Sequence, residues 1–143
     1  MELAGVAAAL RAEAERADER RLLVLAGDRD RGLAAAWEVL TATGDDAAAT
    51  TVTTREDGVR GDRLHPRHAG RLLGTTRDAV VVDAHEDFTA NVLGRVVGAV
   101  DGGGLLVLVT PPLADWPDRR DPADDRLAVP PFTVDDVTGR FRD

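Results

Sequence analysis

Cysteine is absent from all 143 residues, so disulfides, thiolate metal sites and cysteine nucleophiles are excluded by inventory. Lysine is absent as well, and every one of the 18 basic residues is arginine. A Schiff-base lysine is thereby ruled out, as is the P-loop lysine that contacts the β- and γ-phosphates of a nucleotide. Without serine there is no GxSxG nucleophile elbow. Large aromatics make up only 3% of the chain, which leaves few platforms for stacking nucleobases. Long apolar runs are missing too. The longest, at 22–26, 79–82 and 105–109, fall far short of the roughly 20 residues that cross a bilayer. The N-terminus alternates charge with alanine and has no signal-peptide core. The expectation is a cytoplasmic protein that does not enter a membrane.

What the chain does have is acid. Asp and Glu number 26, giving a net charge of -8, and the aspartates are spread along the sequence. Aspartate enrichment without lysine resembles the surface of proteins from extreme halophiles, where carboxylates keep a protein dissolved in strong salt. The acidity is read as an adaptation to solvent, more than as the mark of a cationic partner. Salt near saturation screens charge within about 3 Å or less, so acidity does not by itself argue against RNA. An apolar content of 43% suffices to bury the core of one domain.

Periodicity predicts an amphipathic helix over 2–19, with Leu3, Val6, Ala7, Leu10, Ala14 and Ala17 on one stripe. The apolar run 21–27, ended by glycine, predicts a strand buried on both faces, as in a parallel sheet. A helix follows over 31–43 with Leu33, Ala36, Trp37 and Leu40 in register and Gly44 as its stop. A short threonine-rich strand is predicted at 50–54, an exposed loop at 55–66 and a short helix at 68–73. Residues 79–82 form a strand ending at Asp83. Thr89 caps the next helix, whose buried stripe is Phe88, Val92, Leu93, Val96, Val97 and Val100. Gly102 to Gly104 is predicted to close that helix in a tight reversal before a strand at 105–109, halted by Pro111 and Pro112.

Strands alternating with helices specify an α/β fold: a doubly wound, Rossmann-like or flavodoxin-like, mostly parallel sheet of about four strands with helices on both faces. Residues 1–112 are read as one domain and 113–143, rich in Asp, Arg and Pro, as a linker or extension.

Ligands of open α/β sheets bind outside the carboxyl ends of the strands, which nominates a crevice at Asp28, Asp83, His85 and Thr110. Each has a plainer reading. The turn 27–32 lacks the second glycine of the dinucleotide fingerprint, and its acidic residues would repel a pyrophosphate. Asp28 or Asp30 is better read as a helix cap. Val80 to Asp83 looks like the magnesium-binding strand of nucleotide hydrolases, but no GxxxxGK[ST] loop accompanies it. A phosphoryl-accepting Asp83 of the response-regulator type would need a lysine late in the sheet. His65 and His68 have helical spacing but span a proline, and spacing fixes no third ligand for a metal. His85 lies beside Glu86 and Asp87, which could orient its ring for acid or base work. The arginines are scattered, and Arg67, Arg71 and Arg77 are the candidates for RNA-phosphate contacts.

The blocks RRLLVLAGDR, LLGTTRDAVVVDAHEDFTANVLGRVVGAVDGGGLLVLVTPP, WPDRRD and VTGRF, taken in this order, cover essentially the whole chain. They resemble the N-terminal domain of the tRNA(Met) cytidine acetyltransferase family in its halophilic archaeal form. The resemblance implies a larger protein in which this module precedes an ATP-hydrolysing helicase-like module and a GNAT-type acetyltransferase domain with an RNA-binding tail. Acetyl-CoA and ATP with magnesium would serve that parent in forming N4-acetylcytidine at the wobble position of elongator tRNA(Met), and in other RNAs. The chain reaches neither a Walker A loop nor a pantetheine-binding segment, so no catalytic, cofactor-binding or metal-binding residue is carried onto it. The resemblance implies a non-catalytic scaffold or docking role, with the helicase-like and acetyltransferase domains and tRNA as partners. The alternative is a stand-alone small-molecule or nucleotide sensor, or an enzyme, working from the strand-end crevice.

Overall fold

A computed structural model describes residues 2–119 together with Asp121 and Arg142; most of the segment read as a linker therefore lies outside the described residues. The elements are α1 (Leu3–Ala17), β1 (Arg21–Ala26), α2 (Arg29–Thr43), β2 (Thr50–Val52), β3 (Asp62–Leu64), a 3-10 helix (Pro66–Leu72), β4 (Arg77–Asp83), α3 (Ala90–Ala99) and β5 (Val100–Thr110). The five strands form one all-parallel sheet in the order β1-β5-β4-β2-β3. This is the expected α/β architecture with one strand more than predicted: β3 arises inside the stretch read as a loop. No helix among the described residues is long and apolar enough to cross a membrane.

The valine and leucine runs of β4 and β5 place these strands at the centre, where both faces are covered. Alternation divides their side chains into two cores. Val80, Val82, Leu106 and Leu108 meet Val92 and Val96 of α3 and Ala69 and Leu72 of the 3-10 helix. Ala79, Val81, Leu105, Val107 and Val109 meet Ala7 of α1 and Ala36, Val39 and Leu40 of α2. The caps follow the sequence closely: Asp28 accepts from the amide of Arg31 at the start of α2, Gly44 ends that helix in the left-handed region, and Thr89 accepts from the amide of Val92.

Two local expectations are corrected. β1 is an edge strand, and its burial alternates. Leu23 and Leu25 pack into the core beneath α1 and α2, while Leu22 and Val24 on the other face are 54% and 38% exposed. An apolar run signals strand, but it cannot say that α3 stops short of covering that face. The glycine triplet does not form the reversal. α3 passes straight into β5 at Val100, and Gly102 to Gly104 lie within the strand, opposite a register irregularity between Arg77 and Ala79. Gly103 adopts φ +87°, and a Cβ on Gly104 would come within 2.7 Å of the Asp101 carbonyl and 2.9 Å of the Asp78 carbonyl. The glycines are needed for a bulge and a close backbone approach.

The α2–β5 contact is equally tight at one point. A Cβ on Gly32 would sit 2.5 Å from Val109 Cγ1, and a β-branched side chain has little rotamer freedom with which to retreat. Gly98, in contrast, has nothing within 4 Å of an added Cβ. Gly32→Ala is expected to destabilise by about 1–2 kcal/mol despite the better helix propensity of alanine, and Gly98→Ala to stabilise by roughly 0.5–1 kcal/mol. Denaturant midpoints of the two variants should move in opposite directions; a common direction would contradict this packing.

Candidate functional site at the strand ends

The carboxyl ends of β1, β2, β4 and β5 converge, and the residue that organises them is Asp83, the last of β4, whose side chain is fully buried. One carboxylate oxygen, Oδ1, accepts from the His85 amide at 3.1 Å and faces His85 Nδ1 at 2.9 Å. The other, Oδ2, accepts from Arg29 Nε at 2.8 Å and from the Thr53 hydroxyl at 2.7 Å. Arg29 Nη2 also donates to Thr54 Oγ1 at 2.7 Å, and Nη1 reaches Glu86 at 3.4 Å, which in turn accepts from the Thr54 hydroxyl at 3.1 Å. His85 closes the network onto β1: its Nε2 lies 3.1 Å from the Gly27 carbonyl. Both ring nitrogens thus face acceptors, so a neutral ring satisfies one of them and a doubly protonated ring satisfies both.

Burial by itself would push the Asp83 carboxyl up. The hydrogen bonds from the His85 ring, the Thr53 hydroxyl and the His85 amide, together with the Arg29 charge, outweigh it and bring the pKa down from 3.8 to about 2. The result is a fixed carboxylate whose lone pairs are spent on the protein itself.

The structure joins only part of the predicted crevice. Asp83 and His85 are in direct contact, and the carboxylate that orients the imidazole is Asp83, where Glu86 and Asp87 were the expected partners. Asp28 is exposed and turned to its own helix as the cap. The Thr110 backbone is near, its carbonyl accepting from the Gly27 amide at 2.9 Å, but its hydroxyl donates to the Pro111 carbonyl at 2.8 Å. The residues missed from sequence are Arg29, Thr53 and Thr54. A signal for Arg29 existed: a cation in the first turn of a helix opposes the helix dipole and calls for a carboxylate beside it.

The remaining candidates lie elsewhere. His65 caps the 3-10 helix, its Nδ1 accepting from the Arg67 amide at 3.1 Å, and its ring meets His68 edge-on at 6.3 Å. Arg67 and Arg71 are exposed on that helix. Arg77 begins β4, and its buried Nε has no hydrogen-bond partner among the described residues. Arg77 to Asp83 is seven residues of extended chain spanning roughly 20 Å, so Arg77 and the strand-end network occupy opposite ends of the sheet.

Comparison with known proteins places this architecture. Residues 1–143 match the family described as "tRNA(Met) cytidine acetyltransferase TmcA, N-terminal". Over 138 residues, 96% of the chain, the sequence is 63% identical to tRNA(Met) cytidine acetyltransferase TmcA of Haloferax volcanii, of which that stretch is 18%. The protein of the same name from Haloarcula marismortui is 53% identical over 137 residues, 96% of this chain and 18% of the relative. The one from Nitrosococcus halophilus is 40% identical over 136 residues, 95% and 18% respectively. The chain spans less than a fifth of the length of these relatives. With a family match over its whole length, the chain belongs to the TmcA N-terminal domain family.

Proposed function

We propose that the chain is a cytoplasmic, non-catalytic docking and scaffold module, built on the 1–112 domain, of a longer RNA cytidine acetyltransferase that uses ATP and acetyl-CoA. The parent forms N4-acetylcytidine in tRNA, and its helicase-like and acetyltransferase domains are the partners of this module. The observation that carries the docking role is the uncovered face of β1. Leu22 and Val24, 54% and 38% exposed, pair in register with Leu106 and Leu108 of β5, so the apolar surface beside α3 continues outward onto an open sheet edge. A domain that stood alone would blunt such an edge. The relatives contain more than four times as much further chain, which supports the rest of the same polypeptide as the occupant.

The strand-end network supports the non-catalytic half of the reading. A sensor or enzyme working from that crevice would need Arg29 to release Asp83 before a ligand could reach it, and the carboxylate has no unspent oxygen to offer. Arg67 and Arg71, exposed on the 3-10 helix, remain available for phosphate contacts with tRNA in the assembled protein.

The test is Leu22→Asp combined with Val24→Asp in the full-length protein and in the isolated domain. Surface changes of this kind cost within about 0.5 kcal/mol per site in the isolated domain. In the full-length protein they are expected to release the N-terminal domain, read as new protease sensitivity near residues 113–143 and as lowered tRNA acetylation. Unchanged proteolysis and acetylation would overturn the docking role.

A further inference from the structure

A second concavity, separate from the Asp83 carboxylate, opens on the opposite face of the sheet from α3, between α2, β2 and the 55–61 loop. Its volume is about 420 Å³, within the range of small-molecule sites. Leu33, Leu40 and Val81 form the apolar lining, and the half-buried indole of Trp37 forms a wall. The loop comes close to that wall at Gly61, where φ is +74° and an added Cβ would be 3.3 Å from the indole. Arg60 holds its guanidinium 5.9 Å from the Trp37 ring centroid, and Arg55 at the mouth pairs with Asp30.

Thr51 makes this more than an apolar dent. It pairs in register with Val81, and both residues line the cleft. The residue is only 6% exposed, yet its hydroxyl has no hydrogen-bond partner among the described residues. A hydroxyl that borders a cleft and makes no bond within the protein is a ready contact for a ligand's polar edge.

We propose that this cleft binds a nucleotide: a flat base stacked on Trp37, its edge hydrogen-bonded to the Thr51 hydroxyl, and its phosphate met by Arg60 with Arg55. Each part of the site suits one part of that ligand. An indole face with a guanidinium over it accommodates a planar π system, since both surfaces stack on aromatic rings. A single hydroxyl on the floor, which both donates and accepts, suits the edge of a base, whereas an aliphatic ligand would leave it unpaired. Guanidinium groups at the mouth favour an anionic tail. Glu56 and Asp57 of the same loop oppose that tail, so stacking supplies most of the affinity, and binding should survive molar salt. The ligand is either a free nucleotide or one unpaired residue of an RNA strand.

Tryptophan fluorescence tests this in the 143-residue chain, in molar KCl. Trp116→Phe leaves Trp37 as the lone emitter, since the sequence holds two tryptophans. Titration with AMP, CMP or a single-stranded RNA ten nucleotides long is expected to give saturable quenching. Thr51→Val keeps the shape of the buried side chain, and Arg60→Ala lies on the surface; each is expected to weaken binding about fivefold, the effect of one lost hydrogen bond or ion contact. Saturation by mononucleotides assigns the site to free nucleotides, and saturation by the oligonucleotide alone assigns it to RNA. Absence of saturable quenching by all three, or quenching that neither variant alters, would overturn the proposal.

Discussion

Arg29→Met is expected to remove about 3–5 kcal/mol of folding stability, the usual cost of stripping one partner from a buried ion pair. For a domain of this size that is a large share of the total. Methionine fills a similar volume, so the loss reports the charge and its hydrogen bonds and not a cavity. What is left behind is the Asp83 carboxylate, fully buried and held by Thr53 and His85 alone. Asp83→Asn keeps the shape and leaves Arg29 a partner in Glu86, so it should cost less. Because the two changes remove the same interaction, the double variant should be less destabilised than the sum of the singles. The carboxyl also writes a pH signature. Its folded pKa of about 2 lies below the ordinary 3.8, so the native state binds the proton less readily than the unfolded chain. The associated stability, about 2 kcal/mol, is present above roughly pH 5 and disappears as pH falls toward 2. Denaturant unfolding of wild type and Asp83→Asn across that window checks the sign: the wild type should lose this increment and the variant should not. An Arg29→Met midpoint equal to that of wild type would refute the network's importance.

The elements that could be read from sequence are those whose residues act locally. Thr89 caps α3 through its own third neighbour, Gly44 ends α2 in a conformation that alanine would resist, and the β4 and β5 runs are buried whatever lies at the edges. β3 was illegible for the opposite reason. Asp62, Arg63 and Leu64 have neither alternation nor β-branching, and they are strand only because their backbone pairs with Thr50 to Val52. The site shows the same division. Asp83 and His85 could be nominated because strand ends are where α/β sheets concentrate polar groups, yet Arg29 is 54 positions from Asp83 and Thr53 is 30 positions away. Only the β1-β5-β4-β2 order brings them together. Trp37 illustrates a third case: helical periodicity places it correctly on the inward stripe of α2, but the position of the 55–61 loop decides that its ring walls a cleft instead of closing a core.

Lowering salt from molar to tens of millimolar is expected to unfold the domain or depress its melting temperature steeply. The net charge of -8 is carried by 26 acidic and 18 basic side chains on a chain of 143 residues. The Debye length grows from about 3 Å at 1 M to about 30 Å at 0.01 M, so repulsion confined to near neighbours in strong salt spreads over the whole domain in weak salt. Weak salt also strengthens favourable pairs, and the balance between the two decides the sign. The exposed pairs that would benefit, such as Arg21 with Glu13 and Glu19, have partners that are 54% and 66% exposed and contribute little at any ionic strength. In the Arg29–Asp83 pair the carboxylate is fully buried and the guanidinium only partly exposed, so bulk screening changes it less than the exposed pairs and it does not compensate. Melting followed by circular dichroism across a KCl series, with sucrose as an uncharged control, separates the contributions. Recovery with KCl but not with sucrose is the expected result, and a melting temperature that ignores KCl would show that the acidic surface has no role in holding this fold together.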